Sequence, residues 1–286
     1  MTLKKIKIQK LKNKNLKKRN VLIVGGTGQI GEVIKKNLDK SLYAISTTTR
    51  HNNKKKNNQF YLDLEKTKFK IDFTKFDFVI LCAAITNISE CEYQHLKCKK
   101  INYKNTIKLI DLCIKSKCFT IFLSSNAVFD GKKKFYKSTD IRNPISKYGE
   151  YKLLVENYIK KLPANKACIL RLTKLITDKT TLIQNWKKNA KNKKNIKVFK
   201  NKFISPIKIK DLIVAIQRII ENKKSGIFQL GGSKEISYYE YAKKIFSSDP
   251  NMKKKIIPIE TDKKKIYTFH NSLVTNIPLK IKKNKY

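Results

Sequence analysis

Tyr148 and Lys152 stand four residues apart in "NPISKYGEYKLLVE", residues 143–156, where the pattern is that of a helix start. On a helix, side chains at i and i+4 share a face, roughly 5–6 Å apart at Cβ. The spacing therefore puts an ammonium beside a phenol. A phenol has a pKa of about 10 and is a poor acid or base near neutrality. A neighbouring positive charge favours phenolate and draws that value toward the working pH. The pair points to acid–base chemistry, with a core tyrosine beside a solvated lysine as the alternative in so lysine-rich a chain. In "LSSNAVFDG", Ser124 and Ser125 end an apolar run. Ligands in open α/β sheets bind beyond such strand ends. A hydroxyl there can hydrogen-bond a substrate oxygen while Tyr148 supplies a proton; an ordinary strand-end turn is the alternative.

A third group binds rather than reacts. "VLIVGGTGQIG" sets Gly25, Gly28 and Gly31 as G-x-x-G-x-x-G between an apolar strand and a helical pattern. That is the context of a dinucleotide fingerprint: glycine permits the tight turn, and the helix N-terminus offers N–H groups to a pyrophosphate. A ribose-binding acid about 20 residues on is expected when NAD is preferred. Here the second strand instead ends in "STTTR", with Arg50 and no carboxylate. An arginine there suits a 2′-phosphate, so NADP(H) is favoured and NAD(H) left open. Asp63 and Leu64, in "YLDL" after the third strand, fall where the adenine edge would lie.

These residues need elements to hold them. Apolar runs recur at "NVLIV", "LYAIST", "FYL", "FDFVILCAAI", "CFTIFLSS" and "ACILRL", with helical periodicity between them, as in "INYKNTIKLIDLCIKS". Continuous apolar strands suit a parallel sheet covered on both faces. Strands alternating with helices predict an α/β fold, a Rossmann-type doubly wound parallel sheet. Three parts are expected: a basic lead over residues 1–19, an NAD(P)-binding domain over 20–175, and a smaller C-terminal substrate lobe over 176–286.

Bulk composition excludes several classes. Hydrophobic residues make up 41%, enough for a sizeable core. No run reaches the ~18–20 apolar residues of a membrane span, and the start lacks a secretory apolar core, so a cytoplasmic protein is the default. The formal charge of +45 would ordinarily suggest nucleic acid. Yet only Arg19, Arg50, Arg142, Arg171 and Arg218 among the 66 basic residues are arginine, the residue that reads bases and clamps phosphates. Lysine, asparagine and isoleucine are inflated together, as A/T-rich coding DNA would produce, and no specific nucleic acid partner is expected. Six cysteines and three histidines show no metal-ligand spacing, so no metal is expected.

Taken in order, the quoted segments resemble the extended short-chain dehydrogenase/reductase family over roughly residues 20–250, and within it the dTDP-4-dehydrorhamnose reductases and related nucleotide-sugar reductases. "GGTGQIG" resembles the cofactor turn, including Gln29 and Ile30. Ala83 and Ala84 match the strand end beside the nicotinamide, and Asn102 the helix asparagine. "LSSNAVFDG" resembles the subgroup's Ser-Thr-Asp-x-Val-Phe-x-Gly, and "NPISKYGEYK" its Asn-Pro-x-x-x-Tyr-Gly-x-x-Lys. The resemblance implies Ser125 as the catalytic hydroxyl, Tyr148 as general acid, and Lys152 as the cation beneath it and the holder of the nicotinamide ribose. It implies NADP(H)-dependent reduction of a nucleotide-linked keto-sugar, for surface polysaccharide precursors, and allows a homodimer. Departures exist: Ser125 stands for threonine, Asn126 for aspartate, and "RLTKLI" lacks the usual aromatic and glycine residues. An NAD-dependent epimerase or dehydratase of the same fold is one alternative, although it would call for an acid near Arg50 or beside Ser125. A non-catalytic regulatory subunit is the other, although such proteins usually lose Tyr or Lys of the pair.

Overall fold

The computed structural model describes residues 17–51, 58–192, 194–261 and 269–279. Most of the lysine-rich lead and most of the polar loop "HNNKKKNNQ" lie outside these. The strands are β1 (Arg19–Val24), β2 (Tyr43–Thr49), β3 (Gln59–Tyr61), β4 (Phe78–Leu81), β5 (Phe119–Ser125), β6 (Ala167–Leu172), β7 (Ile196–Phe199), β8 (Phe203–Ile204), β9 (Gly226–Leu230), β10 (Ile236–Ser237) and β11 (Ile256–Ile259). The helices are α1 (Gln29–Asn37), α2 (Ile88–Tyr93), α3 (His95–Lys99), α4 (Asn105–Lys115), α5 (Lys147–Lys160), α6 (Thr181–Lys191), α7 (Ile209–Asn222), α8 (Tyr238–Ile245) and α9 (Pro250–Lys254).

Seven strands pair in parallel in the order β3-β2-β1-β4-β5-β6-β9. The chain runs outward from β1 in one direction, then crosses back to β4, so the point of reversal lies between β1 and β4. Successive residues of a strand face opposite sides. Val21 and Ile23 accordingly pack with Ile34 of α1 and Leu212 and Ile216 of α7, while Leu22 and Val24 pack with Leu109 of α4 and Val155 of α5. Because both faces are covered, both sets of side chains are apolar here. Val21–Val24 are fully buried, and each such side chain contributes about 1.5–3 kcal/mol on leaving water.

The periodicity over residues 89–117 resolves into several pieces rather than one helix. Gln94, at φ −110° and ψ 45°, separates α2 from α3, and a π-helical turn over Lys100–Lys104 precedes α4. The stretch after residue 175 is also divided. Its α7 and β9 join the large sheet, β9 pairing with β6 from Cys168↔Gly226 to Leu172↔Leu230. Of the remainder, β8 and β10 form an antiparallel pair, and β7 and β11 a parallel pair over a separate cluster that includes Ile183, Trp186, Val198, Ala242 and Met252. Strand spacing does not say which sheet edge a strand will join, and β9 reaches the large sheet because α7 has first carried the chain beneath it.

One charged residue interrupts the apolar strand β6. Arg171 is fully buried, and its guanidinium grips Glu156 of α5 with Nε at 2.9 Å from Oε1 and Nη2 at 2.7 Å from Oε2. Nη1 donates to Gln229 Oε1 of β9 at 3.0 Å. Leaving one member of a buried pair unpartnered costs about 3–5 kcal/mol. Arg171→Met should therefore lower unfolding free energy by that order in urea titrations, and the added change Glu156→Gln should restore part of the loss.

Candidate active site

The glycine turn is shaped by what cannot be present there. Gly25 has φ +84°, and a Cβ on it would stand 2.8 Å from the backbone nitrogen of Ala83. A Cβ on Gly31 would lie 2.3 Å from the Gly25 carbonyl oxygen. Gly28 is the N-cap of α1 and supplies no side-chain cap, which leaves the first turn of the helix able to receive an anion. The end of β2 is tied directly to this turn: Gly25 N–H donates to Thr48 Oγ1 at 3.0 Å, and Gly26 N–H to the Thr48 carbonyl at 3.1 Å. Arg50 follows two residues later, exposed at the same strand end. This cradle fits a dinucleotide.

Not every residue singled out for the cofactor faces the cradle. Ala83 lies against Gly25, with Ala84 next to it in the half-buried loop after β4. Asn102, buried in the π-helical turn, donates to the Ile85 carbonyl and accepts from the Ile85 N–H, both at 2.8 Å. It orders that loop. Leu64 is buried in the core, and its carbonyl accepts from Asn105 at 2.7 Å. Asp63 accepts from the Glu65 N–H at 2.9 Å in a local turn. The side chain of Gln29 reaches away from the glycine turn, donating to the Leu175 carbonyl and to Thr180 Oγ1, both at 2.8 Å. Ile30 packs partly buried against the core.

Ser125, Tyr148 and Lys152 do meet. Ser146 caps α5 by accepting from the Gly149 N–H at 3.2 Å, so the helix starts one residue before the tyrosine. Gly149 permits the approach: a Cβ there would fall 2.1 Å from the Ala127 carbonyl oxygen, in the loop just past Ser125. The Ser125 hydroxyl acts on the Tyr148 phenol, drawing its pKa down, and accepts from the Ala127 N–H at 3.2 Å. Lys152 is buried, donates from Nζ to the Leu123 carbonyl at 2.9 Å, and lies 5.8 Å from the centroid of the Tyr148 ring.

The expectation that Lys152 lowers the phenol's pKa needs correction. Burial pushes Tyr148 up to about 12, and the group that draws it down is Ser125. The ammonium sits under the ring face, also 4.6 Å over Phe122. Burial brings Lys152 itself down to about 8, opposed by Cys82, Glu156 and Cys91. Desolvation is the largest cause of both shifts, because both groups have left water.

Two features beside the site have no counterpart in the motifs. Glu156, one turn beyond Lys152, accepts from Ser124 Oγ at 2.6 Å and pairs with Arg171. A charge inside "ACILRLTKLI" was the available signal, since a buried guanidinium demands a partner. Asn126 donates to Asn271 at 2.7 Å, and Asn271 to the Phe203 carbonyl at 2.9 Å. Nothing in the spacing announces a contact 145 residues away. Among the described residues no three His, Cys, Asp or Glu side chains gather to hold a metal, and no helix is long and apolar enough to cross a membrane.

Residues 19–267 match the family described as RmlD substrate binding domain. Methionine adenosyltransferase 2 subunit beta of Rattus norvegicus is 25% identical over 241 residues, covering 80% of this chain and 71% of its own length. Among solved structures, a dTDP-4-dehydrorhamnose reductase from Clostridium acetobutylicum superposes with a TM-score of 0.77 at 26% identity, over 90% of each chain. That from Bacillus anthracis, in complex with NADP, gives 0.76 at 24% identity over 92% of this chain and 91% of that one.

The depressed lysine has a consequence for stability. A lysine whose folded pKa lies below its unfolded value binds fewer protons when folded, so its penalty fades as pH rises through that window. Lys152 titrates near 8 when folded against 10.5 unfolded, whereas tyrosines begin to titrate near 10 in the unfolded chain. Between about pH 8 and 10, unfolding free energy of the wild type relative to Lys152→Met should therefore rise with pH in urea titrations. A flat difference would contradict the buried ammonium.

Proposed function

The chain belongs to the RmlD substrate-binding-domain family, within the NAD(P)-dependent oxidoreductases of the extended short-chain dehydrogenase/reductase type, and from that premise we propose that it reduces a nucleotide-linked keto-sugar with NADP(H), in the making of surface polysaccharide precursors. The observation that carries this reading is buried Lys152 with its ammonium 5.8 Å from the Tyr148 ring centroid, beside Ser125 and at the same carboxyl edge of the sheet as the glycine turn. The likeness to the Clostridium reductase supports the substrate class, and the Bacillus protein's bound NADP supports the cofactor.

In this reading the N–H groups of the glycine turn and the first turn of α1 hold the pyrophosphate, Arg50 meets the 2′-phosphate, and Lys152 holds the nicotinamide ribose. When bound, the nicotinamide supplies hydride to the sugar's carbonyl carbon. Tyr148 is kept protonated at neutral pH by its burial, and it gives that proton to the developing alkoxide. Ser125 donates to the same oxygen and polarises the carbonyl. Lys152, charged at neutral pH, faces the phenolate left behind.

A second reading has one observation behind it: the curated relatives matched over 80% of this chain are named as a subunit of methionine adenosyltransferase 2. In that case the fold is an accessory subunit, and the pocket holds a nucleotide without turnover.

Tyr148→Phe separates the two. With dTDP-4-dehydrorhamnose as probe, NADPH oxidation should fall by about 10²–10⁴-fold while NADPH binding stays near wild type. A wild-type protein that binds NADPH, oxidises none with any nucleotide keto-sugar, and keeps partner binding in Tyr148→Phe would favour the subunit. Arg50→Ala should raise the NADPH dissociation constant by about ten- to a hundredfold, the worth of a charged hydrogen bond, and leave NADH unchanged. Equal losses for both cofactors would remove Arg50 from the 2′-phosphate.

A further inference from the structure

The end of β5 meets α5 at three successive points. The Leu123 carbonyl accepts from Lys152 Nζ at 2.9 Å, Ser124 Oγ donates to Glu156 Oε1 at 2.6 Å, and Ser125 acts on the Tyr148 phenol. Tyr148, Lys152 and Glu156 are spaced i, i+4 and i+8, which places them along one face of the helix. The Ser124–Glu156 contact is the most constrained. Glu156 is fully buried, and Arg171 on β6 holds both of its oxygens. Arg142 reaches Oε2 at 3.5 Å, and Arg171 continues through Gln229 Oε1 at 3.0 Å to β9. One carboxylate thus ties α5 to β5 directly, to β6 through a bidentate pair, and to β9 through the same guanidinium.

We infer that Glu156 is a positioning residue for the cofactor site: it fixes the height of α5 against β5 through Ser124 and Arg171, and its charge keeps the Lys152 ammonium protonated beneath Tyr148. The inference rests on the reading of this pocket as an NADP(H) site. The groups that face Lys152 are Tyr148 and Glu156 on α5, Cys82 after β4 and Cys91 on α2, with Arg171 and Arg142 facing Glu156 in turn. Burial pushes both thiols up to about 12, so neither is charged at neutral pH. Tyr148 is likewise neutral there. Among these described neighbours, Glu156 is therefore the anion that opposes the loss of the lysine's proton.

A purely structural Glu156 would hold Arg171 and leave the titration of Lys152 alone, and a pH profile tells the two apart. NADPH binding to the full chain is followed by cofactor fluorescence from about pH 7 to 9.5, a window that brackets the lysine, with circular dichroism reporting folding. Wild-type affinity should fall as pH rises through about 8. In Glu156→Gln the midpoint should move lower, weakening NADPH several-fold near pH 8. An unmoved midpoint in the folded variant would overturn the inference. Should Glu156→Gln fail to fold, Ser124→Ala keeps the Glu156–Arg171 pair and removes the tether to β5. It should raise the NADPH dissociation constant roughly three- to tenfold with the midpoint in place, and wild-type affinity would overturn the claim. A wild-type protein that binds NADPH with no pH response defeats the role of Glu156 alone; one that binds no NADPH at any pH defeats the cofactor reading beneath it.

Discussion

Helix α5 can lie against the end of β5 only because Gly149 has no side chain and because polar atoms on the two elements satisfy one another. A methyl at residue 149 would intrude to 2.1 Å on the Ala127 carbonyl. Polar groups buried between packed elements need partners there. Leu123 and Ser124 supply those partners for Lys152 and Glu156. The geometry of the tyrosine and serine follows from the same approach. A looser helix would admit water, solvate the ammonium, and separate the two hydroxyls.

That approach also accounts for the electrostatics. The chain carries a formal charge of +45, yet Lys152 is removed from solvent, where screening by salt is much weaker. Burial works on Tyr148 and Lys152 in opposite directions, holding the phenol protonated and easing the proton off the amine. A donor that stays protonated until an alkoxide forms, above a cation whose charge responds to its neighbours, suits carbonyl reduction better than a phenolate prepared in advance. The surface lysines contribute nothing comparable, being solvated and far from a low-dielectric site.

The small cluster around Trp186 and Met252 bears on the site through few bonds. Gln29 joins the glycine turn to Leu175 and Thr180, and Asn126 joins the serine loop to Asn271 and thereby to β8. These amide links lie one beside each half of the site. They give the C-terminal part of the chain a place at the pocket while its own core stays separate from that of the sheet.

Local pattern alone determined the parallel sheet, the glycine cradle and the pairing of Tyr148 with Lys152, because apolar runs, a G-x-x-G-x-x-G turn and an i, i+4 spacing are properties of neighbouring residues. The family resemblance added Ser125, which carries no distinctive spacing of its own. Tertiary structure decided what depends on distant residues meeting. It placed β9 at the sheet edge, turned Gln29 and Asn102 toward the protein's own backbone, and brought Glu156 to Arg171. It also reversed the expected shift of the Tyr148 pKa, since desolvation is set by everything packed around a group, and a linear spacing records only who stands beside it.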